Sequence, residues 1–167
     1  MMSLRRSRYT PVTATPRATS PVEVRFDRPL LYARLVLPAG QRLHIFNLHL
    51  RAPLAAPIAG QKQSPLIWRS TQGWAEGFFL AAAKRAGQAL EARLFVDRLL
   101  DEDAGTLIAV CGDLNADGGE VPVRLLLGGG DDTNNETLAA RALTALVTCP
   151  LWRDHPEGES VLMMLPS

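Results

Sequence analysis

The chain has 167 residues, 47% of them hydrophobic, with two cysteines and a formal net charge of +1. This length and hydrophobic share fit one globular domain with a packed core. The small net charge excludes an overall basic field of the kind that attracts nucleic acid. Two cysteines are too few for a disulfide framework. No apolar stretch is long enough to cross a bilayer. From these features we expect a cytoplasmic protein.

The first 21 residues predict a disordered basic tail. Segment 1–21 contains four arginines, three prolines and no acidic residue. Its few bulky apolar side chains cannot bury enough surface to offset the entropy lost on ordering. A targeting peptide is the alternative interpretation, because such peptides are rich in arginine and serine. The folded domain is then expected to span residues 22–167.

Three strands are predicted after the tail. Segments 23–27 and 30–37 indicate the first two strands of a meander, and a turn leads to a third strand over 43–50. Side chains alternate between the two faces of a strand, so Asn47 and His49 lie on the same face of the third strand. That face is apolar at first and becomes polar at its end.

A loop over 51–65, in which Lys62 is interpreted as a solvated side chain, is followed by a helix over 72–100. Ser70 or Thr71 can cap this helix by accepting backbone N–H bonds. Its three glycines weaken it, each by roughly 1 kcal/mol relative to alanine.

The side chains of this helix divide into a core group and a surface group. The aromatic residues near its start, Trp74, Phe78 and Phe79, are predicted to lie in the core. Arg85 and Gln88 are assigned a surface role by default, although both could reach a site. Arg93 and Asp97 are four residues apart, so we expect an ion pair on the solvent face.

The apolar run 106–110 predicts a buried strand that ends in Cys111-Gly112-Asp113-Leu114-Asn115. If the chain stays extended, Asp113 and Asn115 continue one face of the strand just past its end. Ligands bind at that edge of α/β sheets, so both polar strand ends can serve one pocket. Histidine can act as a general acid or phosphate donor, aspartate can hold a metal or orient water, and asparagine can donate to a phosphoryl oxygen.

The rival interpretation of this motif is half of a calcium-binding loop. Asp113, Asn115 and Asp117 have the spacing of the first EF-hand ligands, but Arg124 stands where the bidentate glutamate is needed. Further along, a helix is predicted over 122–127. Another is predicted over 136–146, with Asn135 as its cap. The remaining polar or sulfur-containing positions are interpreted as turns, surface loop or apolar filler: Asp131, Asp132, Cys149 and Asp154-His155.

Together, these features resemble the endonuclease/exonuclease/phosphatase superfamily, which includes deoxyribonuclease I, apurinic endonucleases, sphingomyelinases and inositol-phosphate 5-phosphatases. The resemblance spans roughly residues 30–127. It is carried by Asn47-Leu48-His49-Leu50, by the long helix with Arg85 and Gln88, and by Gly112-Asp113-Leu114-Asn115. It implies an α/β fold, a partial deoxyribonuclease I-like sandwich of mixed sheets with flanking helices.

The resemblance also implies functions for four residues. His49, Asp113 and Asn115 are the implied catalytic residues: His49 lies near the phosphate, Asp113 activates water or binds the metal, and Asn115 orients the phosphate. Asn47 and Asn115 are the implied substrate-binding residues. The implied cofactor is Mg²⁺ or Mn²⁺, and the implied partner is a phosphate ester of a class that a fold alone does not fix.

Two motifs of the resembled family are not recognisable. The family carries an asparagine and a metal-binding glutamate in its first half, and a strand followed by an Asp-His pair at its end. We therefore expect a partial domain, incomplete as a metal-dependent phosphoesterase. Metal binding is expected only in the complete domain. The partial domain is expected to self-associate through exposed strand edges. The alternative is a non-catalytic fragment or binding module that retains the centre of the fold.

Overall fold

The computed structural model describes residues 26–129, 133–146 and 163–166. The described segments alternate strands and helices, and the predicted fold class, α/β with a mixed sheet and flanking helices, is confirmed. In chain order, the elements are β1 (Leu31–Val36), β2 (Arg42–His49), β3 (Lys62–Ser64), β4 (Ile67–Trp68), α1 (Thr71–Glu102), β5 (Leu107–Asp113), α2 (Val121–Leu127), a 3-10 helix (Glu136–Arg141), β6 (Leu143–Leu146) and β7 (Met163–Pro166).

The central sheet has three strands in the order β1-β2-β5. β1 pairs with β2 in antiparallel fashion, as a short turn allows, and β2 pairs with β5 in parallel. A parallel pair needs a crossover connection, which α1 provides. The predicted tail 1–21 lies outside the described residues, as does most of the strand predicted over 23–27, whose last two residues are not in a strand.

The core lies between the sheet and α1. Phe46 and Leu48 of β2 and Val110 of β5 are at most 1% exposed, on the sheet face that α1 covers. The ring of Phe95 on α1 meets Phe46 edge to face, with ring centroids 5.1 Å apart. Tyr32 of β1 adds a third ring, 5.0 Å from Phe95. Alternation along the strands thus places one apolar row against the helix.

The glycines of α1 create space for a hairpin. β3 and β4 form an antiparallel hairpin inside the segment predicted as a loop. A Cβ at Gly77 would lie 2.3 Å from Ala56 O and 2.9 Å from the ring of Trp68, and a Cβ at Gly73 would lie 2.7 Å from Gln61 Oε1. Packing of the hairpin and the preceding loop therefore offsets the helix propensity that these glycines lose.

The start of α1 extends past the sheet. Ser70 caps the helix, because its Oγ accepts from Gly73 N at 3.0 Å. The core residues of α1 that pack on the sheet begin at Ala89. Residue 74 lies roughly 20 Å further along the helix axis, at about 1.5 Å per residue. The prediction of core positions here is wrong: Trp74, Phe78 and Phe79 are 44%, 42% and 45% exposed, because this end of α1 has no sheet beneath it.

The helix predicted over 136–146 is wrong in its second half. Asn135 caps as expected, its Oδ1 accepting from Thr137 N at 3.1 Å. The helix is a short 3-10 segment, and residues 143–146 form β6, which pairs with β7. The partner strand lies far along the chain, so local propensity could not reveal it.

The second face of the central sheet carries apolar side chains that the helices do not cover. Leu31 and Leu35 of β1 are 65% and 46% exposed on this face, beside Leu43 and Ile45 of β2. We call Leu31, Leu35, Leu43 and Ile45 the open face. Within the described segments, no helix is long and apolar enough to cross a membrane.

Candidate functional site

His49 and Asp113 meet at the carboxyl edge of the parallel pair. The two residues are register partners, at the last positions of β2 and β5. His49 Nε2 lies 3.3 Å from Asp113 Oδ2, and the side chains are 39% and 29% exposed, so the pair faces solvent. The expectation that these side chains share one face at one sheet edge is confirmed, while their catalytic roles stay predictions.

One backbone bond orients the carboxylate of Asp113, and another holds its main chain. Its Oδ1 accepts from Asn115 N at 2.9 Å, which leaves Oδ2 toward His49. Its backbone oxygen accepts from Leu50 N at 2.9 Å, so the ends of β2 and β5 are joined beyond the last ladder pair. A carboxylate that accepts a bond from a backbone N–H has a defined orientation. A side chain that accepts a proton from water beside a phosphate needs such an orientation.

Asn115 does not extend the strand. β5 ends at Asp113, Leu114 turns into the core with no exposed area, and Asn115 has a left-handed backbone with φ 49°. Asparagine tolerates this conformation better than most residues. Its Nδ2 donates to Leu50 O at 3.1 Å. The expectation of an extended chain to Asn115 is therefore wrong: its backbone N–H turns back to donate to Asp113 Oδ1, so Asn115 lies in a turn beside the site.

Gly112 permits the close approach of the two strands. A Cβ there would lie 2.0 Å from Leu48 O and 2.6 Å from Asn47 Oδ1, and φ is +116°. Asn47 is exposed and pairs with Cys111, one row behind the His49–Asp113 pair. Burial raises the pKa of the Cys111 thiol, and its Sγ lies 3.4 Å from Phe46 O, so Cys111 is a poor nucleophile.

Gln88 lies in the core rather than on the surface, on the buried face of α1. Gln88 is 1% exposed, and its Oε1 accepts from Arg51 N at 2.8 Å. This bond fastens α1 to the chain directly after β2. The surface role assigned from the sequence is therefore wrong. The signal that could have shown it is the spacing of Gln88, which places it on the buried helix face with Ala81 and Ala92.

Arg85 is the second buried polar residue on this face and also departs from its assigned surface role. It is 6% exposed, and its Nε and Nη1 have no hydrogen-bond partner among the described residues. Its Nη2 is 3.8 Å from Glu120 Oε1, and Glu120 Oε2 accepts from Asp117 N at 2.9 Å. A buried guanidinium therefore lies against the loop that follows Asp113.

Asp113 is a candidate magnesium ligand at this edge of the sheet. Magnesium prefers octahedral oxygen ligands, usually one or two carboxylates with water and phosphate oxygens. Asp113 offers one carboxylate, already in contact with His49 and Asn115. No cluster of three potential metal ligands occurs within residues 26–129, 133–146 and 163–166. The positions Asp131, Asp132, Cys149 and Asp154-His155 lie outside these ranges.

Comparison with known proteins gives one likeness. No family model matches the chain, and no curated protein matches it. The solved structure of SmcL is similar, with a TM-score of 0.41 and 18% sequence identity over 83% of this chain. The match covers 42% of the SmcL chain, so this chain spans less than half of that length.

Proposed function

We propose that this chain carries the phosphate-binding part of a metal-dependent phosphoesterase of the endonuclease/exonuclease/phosphatase superfamily. The observation that supports the proposal is the His49–Asp113 pair, 3.3 Å apart at the carboxyl edge of adjacent parallel strands. That edge is where α/β sheets bind ligands, and the pair is open to solvent. The partial deoxyribonuclease I-like sandwich and the substrate, a phosphate ester, are parts of the same proposal.

The proposed reaction is hydrolysis. A water oxygen bonds to phosphorus, the ester P–O bond breaks, and the leaving oxygen takes up a proton. Asp113, oriented by Asn115 N, accepts the proton of the attacking water, and His49 donates to a phosphoryl oxygen. Asn115 retains one Nδ2 hydrogen beyond the bond to Leu50 O and can orient the phosphate with it.

Metal dependence is the part of the proposal that the described residues do not carry. A bound Mg²⁺ or Mn²⁺ would offset charge on the phosphoryl oxygens, with Asp113 as a ligand. Mg²⁺ is usually held by one or two carboxylates together with water and phosphate oxygens, and Asp113 would supply one carboxylate. We assign no step to the metal, and metal identity becomes a variable of the experiment.

The second candidate function is a non-catalytic binding module. It is favoured by the lack of a three-residue metal cluster among the described residues. In this alternative the same edge binds phosphate but does not hydrolyse its esters. The two candidates differ in turnover and agree in phosphate binding.

The decisive experiment measures hydrolysis of bis-p-nitrophenyl phosphate by the full chain with Mg²⁺, with Mn²⁺ and with a chelator. We expect metal-dependent turnover that is far slower than that of a complete phosphoesterase of this superfamily and that falls roughly a further 100-fold in His49→Ala and Asp113→Ala. Asp117→Ala is the matched control, because Asp117 is an exposed carboxylate four residues from Asp113. Equal activity in wild type and Asp113→Ala contradicts the proposal. Absence of turnover, combined with phosphate binding that His49→Ala removes, favours the binding module.

Two further properties belong to this proposal. We infer self-association through β1 and the open face, since Leu31 and Leu35 are exposed there. We also infer a cytoplasmic location, since Cys111 is a free thiol, as is usual in reducing compartments. Cell fractionation tests the location, and recovery from an extracellular fraction would contradict it.

A further inference from the structure

The β3–β4 hairpin and the start of α1 expose several large apolar side chains. Leu66 at the turn of the β3–β4 hairpin is 91% exposed, and the adjacent Ile67 is 54% exposed. Trp74 and Phe78 on the projecting end of α1 are 44% and 42% exposed, and their rings stack with centroids 5.4 Å apart. We call Leu66, Ile67, Trp74 and Phe78 the apolar tip.

The apolar tip has a fixed base. Arg69 N donates to Gln61 O at 2.9 Å, which closes the hairpin, and Ser70 Oγ contacts Gln61 Oε1 at 3.2 Å. The glycines at 73 and 77 let the hairpin lie directly on α1. The exposed side chains are therefore held in place by a packed base, and their exposure does not result from a loose loop.

Two cations flank the tip. Lys62 Nζ lies 4.8 Å from the centroid of the Trp68 ring, and Arg69 Nε donates to Lys62 O at 3.1 Å. Neither forms an ion pair with any residue that the structure describes. Segment 61–70 contains no acidic residue. By contrast, the positive charge of Arg51 is compensated by Asp27, since Arg51 Nη1 lies 3.7 Å from Asp27 Oδ2.

We propose that the apolar tip and its flanking cations, Lys62 and Arg69, dock on the surface of a bilayer that contains anionic phospholipid. Aliphatic side chains at a protruding turn can enter the region between headgroups and acyl chains, and tryptophan favours that interface. Lysine and arginine beside the inserted residues attract anionic headgroups. The inference does not depend on the proposed phosphoesterase activity.

Other occupants fit the tip less well. Single-stranded nucleic acid uses aromatic rings on which bases stack, and Leu66 and Ile67, the most exposed residues of the tip, offer no such surface. A second copy docked tip to tip would add another Lys62 and Arg69 to the contact, and segment 61–70 contains no acidic residue to pair with them. A bilayer accommodates both the protruding shape and the positive charge.

The test is cosedimentation of the full chain with vesicles. Wild type is expected to bind phosphatidylcholine vesicles that contain phosphatidylglycerol, and to bind pure phosphatidylcholine more weakly. Lys62→Glu and Leu66→Gln should each reduce partitioning about fivefold or more. The matched controls are Arg34→Glu and Val36→Gln. Both residues are exposed on β1, toward the opposite end of the sheet, and should leave partitioning unchanged.

Tryptophan emission gives a second measurement on the same samples. Binding should shift the emission to shorter wavelength, and Trp74→Phe should remove most of the shift while retaining sedimentation. Unchanged melting temperatures show that the variants fold. Failure of wild type to bind anionic vesicles overturns the proposal. Equal vesicle binding by wild type and Leu66→Gln also overturns it. So does a tip variant that still binds vesicles but loses dimerisation or oligonucleotide binding.

Discussion

His44 shows how one residue of β2 can couple folding to pH. It is 5% exposed, on the helix-covered face of the sheet, and Tyr32 Oη lies 2.6 Å from its Nδ1. Burial lowers the pKa of His44 below the usual 6.5, and the nearby Arg34 and Arg42 lower it further. The neutral ring accepts from the tyrosine hydroxyl at Nδ1, and a proton at that nitrogen would remove the acceptor.

We expect acid to destabilise the fold through His44. Because its pKa is lower in the folded chain, the unfolded chain takes up the proton first as the pH falls. The contribution to the free energy of unfolding is therefore present above about pH 6.5 and is lost as the pH falls toward the folded pKa. Urea unfolding of wild type and His44→Asn at several pH values checks this.

The variant should lose less stability than wild type between about pH 7 and pH 5. An identical pH dependence in wild type and His44→Asn would show that His44 does not carry the effect.

At the scale of elements, Arg93 joins α1 to the segments that follow β5. Its guanidinium bonds to both carboxylate oxygens of Asp97, at 2.8 and 3.1 Å, as the four-residue spacing predicts. It also donates to the carbonyls of Leu126 and Leu127 at the end of α2, and to Arg141 O. The predicted solvent-facing pair is thus corrected: the partners are right, but Arg93 is 8% exposed, because α2 packs over it.

Removal of this guanidinium should loosen three elements at once. Arg93→Met leaves Asp97 without its closest partner and three carbonyls without a donor, so we expect a loss of about 2–3 kcal/mol in the free energy of unfolding. Arg98→Met is the control: Arg98 is exposed on α1, and its Cζ lies over the face of Phe95, 5.3 Å from the ring centroid. Its loss should stay below about 1 kcal/mol. Equal losses in urea unfolding would mean that the carbonyl contacts of Arg93 contribute nothing.

At the scale of the whole molecule, the sequence predicts what depends on local pattern. A strand pattern predicts β2, a short apolar run predicts β5, helical spacing predicts α1, and polar strand ends predict the His49–Asp113 pair. Burial of Arg85 and Gln88 was missed because long polar residues are usually exposed, although helical spacing places Gln88 on the same face as Ala81 and Ala92. The β3–β4 hairpin was missed because its strands are two and three residues long and depend on the glycines of α1 for packing.

The open face makes self-association the expected behaviour of the whole chain. Among the strands that the structure describes, β1 lies at the edge of the central sheet, and Leu31 and Leu35 present exposed apolar surface on it. Unpaired strand edges and contiguous apolar faces both promote contact between copies. The two helices pack against the opposite face, so they do not block this contact.

Sedimentation velocity over a concentration series measures the association. The average mass of wild type should rise with protein concentration, and the double variant Leu31→Lys, Leu35→Lys should sediment as a monomer, because like charges would then face each other across the contact. Leu66→Lys provides the matched control: it adds the same charge at a leucine that is 91% exposed but lies on the hairpin turn, so association should persist. A wild-type chain that stays monomeric at every concentration and melts cooperatively would contradict the prediction. Loss of association in the control alone would move the contact from the open face to the apolar tip.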